Sequence, residues 1–230
     1  MIGVFDSGAG GIAVTRELRS LLPNADIVFF RDRPGAPYGT KSKSELMKLV
    51  VHDINTLIDL GADEILMACC TASTLFRELD KKYKAVATPI ITPTAKTAAS
   101  VTRCGKIGVI ATDTTVASHS FKNELHTIDP SLTVYEWRAQ PLVSLVENGA
   151  RDGNINSFGI ETVKKTVADA MESDIDTLIL GCTHFPLIER TIASLFDGVK
   201  TVSSAREGAR SMLCHKGGRG KTIYLENKRR

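Results

Sequence analysis

Glu64-Ile-Leu-Met-Ala-Cys69-Cys70-Thr71-Ala72-Ser73 and Thr177-Leu-Ile-Leu-Gly-Cys182-Thr183-His184-Phe185-Pro186 follow one pattern. In each, a short apolar run reaches a cysteine, then a threonine, then a segment of helical character. Apolar runs of this length read as buried strands of a parallel sheet. Ligands of open α/β sheets bind beyond the carboxyl ends of such strands. The wide separation of the two segments places them in different halves of the chain. The fold expected is therefore α/β, with two similar domains of mainly parallel sheet flanked by helices. The active site would lie in the cleft between them, with one thiol from each half.

The rest of the chain fits this pattern. Further strands are expected at Met1–Phe5, Asp26–Phe30, Val86–Ile91, Lys106–Ala111, Thr133–Trp137 and Val199–Val202. Apolar residues at three- and four-residue steps predict helices over Gly11–Leu22, Ser42–Leu60, Thr71–Lys82, Pro93–Val101, Thr114–His126, Ile160–Ser173 and Pro186–Phe196. The chain should cross between halves near Pro93 and return near Thr201. That gives a first domain of residues 1–92 plus 201–230 and a second of residues 93–200.

Composition narrows the class. At 43% hydrophobic and 24% charged residues the chain reads as globular. No apolar run approaches the roughly 20 residues of a membrane span. The amino terminus passes from Met1 straight into strand-like sequence, and the five cysteines are an odd set without a disulfide framework. A cytoplasmic protein with reduced thiols is expected, and no membrane partner. Much of the net charge of +3 comes from the basic tail between Lys216 and Arg230. No aromatic interleaving or reader motif accompanies that tail, so no nucleic-acid partner is expected.

A lone buried cysteine is usually a small hydrophobe. Two cysteines, each between a strand end and a helix start, suggest an acid and a base facing one atom. The positive end of a helix favours thiolate there. Inverting a stereocentre by proton exchange needs such a pair, one group removing the α-proton and the other returning one. A metal reading, with Cys69, Cys70, Cys182 and His184 as ligands, lacks paired C-x2-C spacing. The loop from Asp6 to Ala13 contains Gly8-x-Gly10-x-x-Ala13, a relaxed dinucleotide fingerprint, and Asp32 lies about where a ribose-binding acid belongs. Asp6 at the strand end would repel a pyrophosphate. The alternative is that the glycines admit a small zwitterion, with Asp6 facing its ammonium group or a thiol. The Pro/Gly-rich segment Asp32–Gly39 is a candidate clamp, with amides near Tyr38 and Gly39 placed for a carboxylate. Thr112, Thr115 and Ser118 read first as helix-capping residues, and His52, His119, His126 and His215 as ordinary polar positions.

Together VFDSGAGG, PYGTKS, ACCTAS, IGVIATDTT, PLVSLVENG and LILGCTHFPL resemble the glutamate racemases in order and spacing, from about Ile2 to Val202. The resemblance implies an isomerase that interconverts L- and D-glutamate with two thiols, without pyridoxal phosphate or metal, and supplies D-glutamate for peptidoglycan. Cys69 would serve the D-enantiomer and Cys182 the L-enantiomer, assisted by Asp6 and His184. Ser7, Pro37, Tyr38, Gly39, Cys70, Thr71, Thr115, Glu147 and Thr183 would surround the substrate. A small amino acid is the implied partner, and a homodimer is left open. The Cys182-Thr183-His184 form favours glutamate over the related aspartate racemases, where a glutamate tends to replace the histidine. An aspartate or broad-specificity racemase and a non-catalytic binding protein of the same fold remain the alternatives. Three features depart from the family: Cys70 stands where Asn is usual, Arg33 where a small polar residue is common, and the sequence stops soon after Ile223 without the usual terminal helix. Arg33 brings an extra guanidinium that could attract a second carboxylate.

Overall fold

The computed structural model describes residues 1–215 and 217–227. In chain order its strands are β1 (Ile2–Asp6), β2 (Ile27–Arg31), β3 (Glu64–Met67), β4 (Ala87–Pro89), β5 (Lys106–Ala111), β6 (Thr133–Arg138), β7 (Thr177–Gly181), β8 (Lys200–Ser203) and β9 (Thr222–Glu226). The helices are α1 (Gly10–Leu21), α2 (Lys43–Asp59), α3 (Cys70–Ser73), α4 (Lys81–Lys84), α5 (Ile91–Val101), α6 (Asp113–Ala117), α7 (Ser120–Ile128), α8 (Gln140–Glu147), α9 (Ser157–Met171), α10 (Glu189–Ala193) and α11 (Ser204–Ser211).

Two sheets form, in the orders β4-β3-β1-β2-β9 and β6-β5-β7-β8. Every strand pair in both is parallel. Parallel strands buried on both faces need apolar residues throughout, and β1, at Ile2-Gly-Val-Phe-Asp6, is buried along its whole length. One face of the first sheet packs on α2 through Phe5, Ile54, Leu57 and Ile65. The outer face of the second packs on α8 and α9 through Leu142, Val146, Val163 and Leu178. The facing sides share one core with the helices between them, where α11 packs on α1 and α5. The two sheets are thus tied by a common helical layer, and their strand ends meet at a single cleft.

Several elements differ from expectation for identifiable reasons. The expected helix at Thr71–Lys82 is three short turns, because Ser73 Oγ bonds the Met67 carbonyl and Thr74 Oγ1 the Thr71 carbonyl. Such side chains compete with the helical ladder. The expected helix at Thr114–His126 is broken into α6 and α7 by His119, which has φ 51°. Strand β8 pairs with β7 as far as Ser203, so the chain leaves the second sheet after that residue, where a return near Thr201 was expected. Helices α8 and α11 and strand β9 were not expected, and β9 extends the first sheet beside β2.

Candidate active site

Cys69 follows β3 and Cys182 follows β7, and both thiols line one cavity of about 470 Å³ at the carboxyl ends of the two sheets. Of the residues expected at the site, Asp6, Ser7, Pro37, Tyr38, Gly39, Cys70, Thr71, Glu147, Thr183 and His184 line it too. Thr115 does not; it stands behind the wall, its hydroxyl 2.8 Å from Thr112 Oγ1 and 3.4 Å from Thr71 Oγ1. Thr112 also caps α6, accepting the Thr115 amide. Tyr38 lines the cavity with its hydroxyl bonded to Asp32 and Asp53.

The glycine loop is closed by the other half of the protein. Asp6 accepts the Gly8 amide and the Thr183 hydroxyl, each at 2.8 Å. Glu147 Oε1 accepts the Ala9 amide at 2.8 Å, just ahead of α1. A Cβ on Gly8 would lie 2.5 Å from Glu147 Oε1, and one on Gly10 would lie 2.6 Å from the Thr183 carbonyl carbon. The amino end of α1, where a dinucleotide phosphate would sit, is therefore met by a carboxylate of the chain itself. Asp32, the ribose acid of that reading, is buried and accepts bonds from Tyr38 and Asn227. Among the described residues no three of His, Cys, Asp and Glu are grouped so as to hold a metal ion.

The two thiols have different surroundings. Burial pushes Cys69 well above the ordinary thiol range, and the nearby Asp6 carboxylate adds to it. The Ala72 and Thr71 amides at the start of α3 pull the other way without prevailing. The expectation that a helix start leaves Cys69 partly ionised is therefore corrected, because desolvation outweighs one short turn of backbone dipoles. Cys70 is likewise pushed up by burial. Cys182 Sγ instead lies 3.5 Å from His184 Nδ1. Burial opposes a charge on that ring, but Cys182, Glu147 and Asp6 together raise His184 to about 10. His184 Nε2 is 2.6 Å from Glu147 Oε1, and this bond, with the Ala9 amide and Arg31, lowers Glu147 to about 2 against the effect of burial. Burial raises Asp6, opposed by His184, the Gly8 amide and the Thr183 hydroxyl.

Gln140, Val143 and Ser144, not singled out in the sequence, complete the wall beside Glu147. The i, i+3, i+4, i+7 spacing of these four residues puts them on one face of α8. That spacing was visible in the sequence but reads equally as a core-facing stripe. Arg31 ends β2 directly beside Asp6 in the strand register, so its place at a strand's carboxyl end was the available signal. Arg33 reaches the rim, where its guanidinium pairs with Glu226 at 3.3 Å and is 70% exposed.

Two thiols from two halves open on one cleft, Cys69 near the Asp6 carboxylate and Cys182 beside His184, an arrangement of the kind an isomerase needs to exchange a proton on both faces of one carbon. The family model described as Asp/Glu/Hydantoin racemase matches residues 2–212. The chain is 36% identical over 209 residues to a glutamate racemase from Persephonella marina, covering 90% of this chain and 79% of that one. It is 37% identical to one from Geobacter metallireducens, covering 91% and 77%. Among solved structures, the glutamate racemase from Francisella tularensis in complex with D-glutamate superposes with a TM-score of 0.88 at 29% identity, covering 100% of this chain and 88% of that one. A glutamate racemase isoform from Bacillus anthracis gives 0.86 at 34% identity, covering 98% and 86%. The chain belongs to the Asp/Glu/hydantoin racemase family, in its glutamate racemase branch, and is an amino-acid racemase. Among the described residues no helix is long and apolar enough to cross a membrane.

Proposed function

We propose that this racemase interconverts L- and D-glutamate by passing a proton between its α-carbon and two thiols, Cys69 and Cys182. The observation that carries the reading is that these sulfurs, from different sheets, line one cavity whose volume suits a small amino acid. The imidazolium of His184 beside Cys182 and the burial of Cys69 suit Cys182 as the starting base and Cys69 as the starting acid. Cys182 takes the α-proton of L-glutamate, and Cys69 gives its own proton to the opposite face. Cys69 then holds the negative charge and is set to take the α-proton of D-glutamate. His184 steadies the charge on Cys182, while Asp6 exchanges a proton with Cys69.

The carbanionic intermediate needs donors fixed before it forms. Ser7, Thr71, Thr183 and the loop from Pro37 to Gly39 supply the substrate's surroundings, and Glu147 fixes the His184 ring. Cys70 borders the same wall, and Thr115 supports it from behind through Thr71 and Thr112. The amino acid is the partner of this site, and the D-enantiomer formed would feed peptidoglycan assembly. Exchange at the α-carbon, followed by proton NMR in deuterium oxide, tests the reading. Both enantiomers of glutamate should lose the α-proton signal in step with racemisation. Failure of the wild-type protein to exchange either one would overturn it.

A further inference from the structure

Arg31 carries the strongest unexplained feature of the cleft. It lines the cavity from the first sheet, yet the only hydrogen bond its side chain makes among the described residues is a long one, from Nη2 to Glu147 Oε2 at 3.4 Å. Its Nε is buried and makes no hydrogen bond among the described residues. A buried guanidinium nitrogen without an acceptor is costly, and a cavity-lining guanidinium with a free terminal nitrogen favours a carboxylate through a charge-assisted bond.

We propose that Arg31 is a specificity-determining residue that binds the side-chain carboxylate of the substrate. The inference rests on the glutamate reading and adds the group that selects an acidic side chain. Position argues for the distal carboxylate over the one on the reacting carbon. From Cys182 Sγ the path to the Arg31 guanidinium runs through the whole His184 ring and then the Glu147 carboxylate. A carboxylate attached directly to the reacting carbon has to stay beside the sulfurs, whereas one at the end of a two-methylene chain can reach further out. Charge argues the same way. Asp6 and Glu147 would repel an anion on this side of the cleft, and Arg31 is the guanidinium placed to offset them. Nη2 keeps its hold on Glu147 while the other terminal nitrogen, which makes no hydrogen bond among the described residues, remains for the ligand. The extra cation flagged in the sequence, Arg33, is committed to Glu226 at the rim.

The test compares wild-type protein with Arg31→Gln and Arg31→Lys, using glutarate as a dicarboxylate probe and butyrate as the matching monocarboxylate. Arg31→Gln should weaken glutarate inhibition and raise KM for both enantiomers of glutamate by about 10- to 100-fold, with a smaller change in kcat. Butyrate inhibition should be unchanged, which separates loss of a carboxylate partner from a damaged site. Arg31→Lys should recover only part of the loss, because an ammonium lacks the planar fork. Glutarate and glutamate binding at wild-type strength in Arg31→Gln would overturn the proposal while leaving the racemase reading intact. Equal weakening of glutarate and butyrate would also overturn it. A wild-type protein that exchanges no α-proton of glutamate would remove the glutamate reading itself.

Discussion

Glu147 Oε1 lies 2.6 Å from His184 Nε2 and accepts the Ala9 amide with the same oxygen. One carboxylate oxygen therefore fastens the end of α8, the histidine beside Cys182 and the glycine loop of the first sheet. A change in any of the three should be felt by the other two.

The His184 ring is the most direct readout of that coupling. Its pKa, raised from 6.5 to about 10, means that it holds its proton across the neutral range. A raised value in the folded state contributes stability that is fully present below 6.5 and is lost as pH rises through about 10. Glu147 has the opposite sign: lowered from 4.5 to about 2, it contributes above 4.5 and loses that contribution as pH falls through about 2. In Glu147→Gln the carboxylate charge is gone, so the ring should titrate lower than in the native protein. Carbon and nitrogen shifts of the labelled histidine measure this, and an unchanged titration would mean that Glu147 does not sustain the charge.

Replacing either thiol by a hydroxyl tests the division of labour. Cys69→Ser and Cys182→Ser should each lower racemisation by at least about 10²- to 10⁴-fold, the usual contribution of a positioned acid or base. Circular dichroism should remain native. Near-native turnover in either variant would exclude the two-thiol mechanism.

Alkylation should report the same asymmetry in the unmodified protein. Cys104 and Cys214 are exposed and should react first with iodoacetamide. Among the buried thiols, Cys182 faces an imidazolium, whereas burial holds Cys69 and Cys70 as thiols. Peptide mass mapping should find Cys182 modified before Cys69 and Cys70, since burial disfavours the reactive thiolate form at both of those. Earlier modification of Cys69 would reverse the assignment of the starting base.

The two Cys-Thr strand ends made the sheets and the thiol pair legible, because short apolar runs have few other uses in a chain of this composition. Local periodicity was less informative where side chains bond their own backbone, as Ser73 and Thr74 do after β3. It was ambiguous in α8, where one stripe serves both packing and the cleft. Arg31 was passed over because a charged strand terminus has many roles, and only the placement of β2 beside β1 brings it to Asp6. The upward push on the Cys69 thiol was beyond the sequence, since it follows from burial and from Asp6, distant in the chain.

The two glycines that close the loop against the second half should fail in different ways when each is given a methyl group. At Gly10 the new Cβ would lie 2.2 Å from Thr183 Oγ1 and 2.6 Å from the Thr183 carbonyl carbon, and the latter is backbone that cannot swing aside as a side chain does. Thr183 also donates to Asp6, so the same displacement would break a buried 2.8 Å bond. Gly10→Ala should therefore lower both thermal stability, by roughly 1–3 kcal/mol as for other overpacked sites, and activity. At Gly8 the obstacles are the far ends of two side chains, Glu147 Oε1 at 2.5 Å and His184 Nε2 at 2.7 Å. These can swing aside with less cost to the fold, but doing so separates the histidine from its carboxylate. Gly8→Ala should thus keep more of its stability than Gly10→Ala while losing activity and lowering the His184 titration. Thermal denaturation and histidine NMR on both variants check the contrast. If Gly8→Ala retains full turnover and the native His184 titration, the loop does not govern the Glu147–His184 contact.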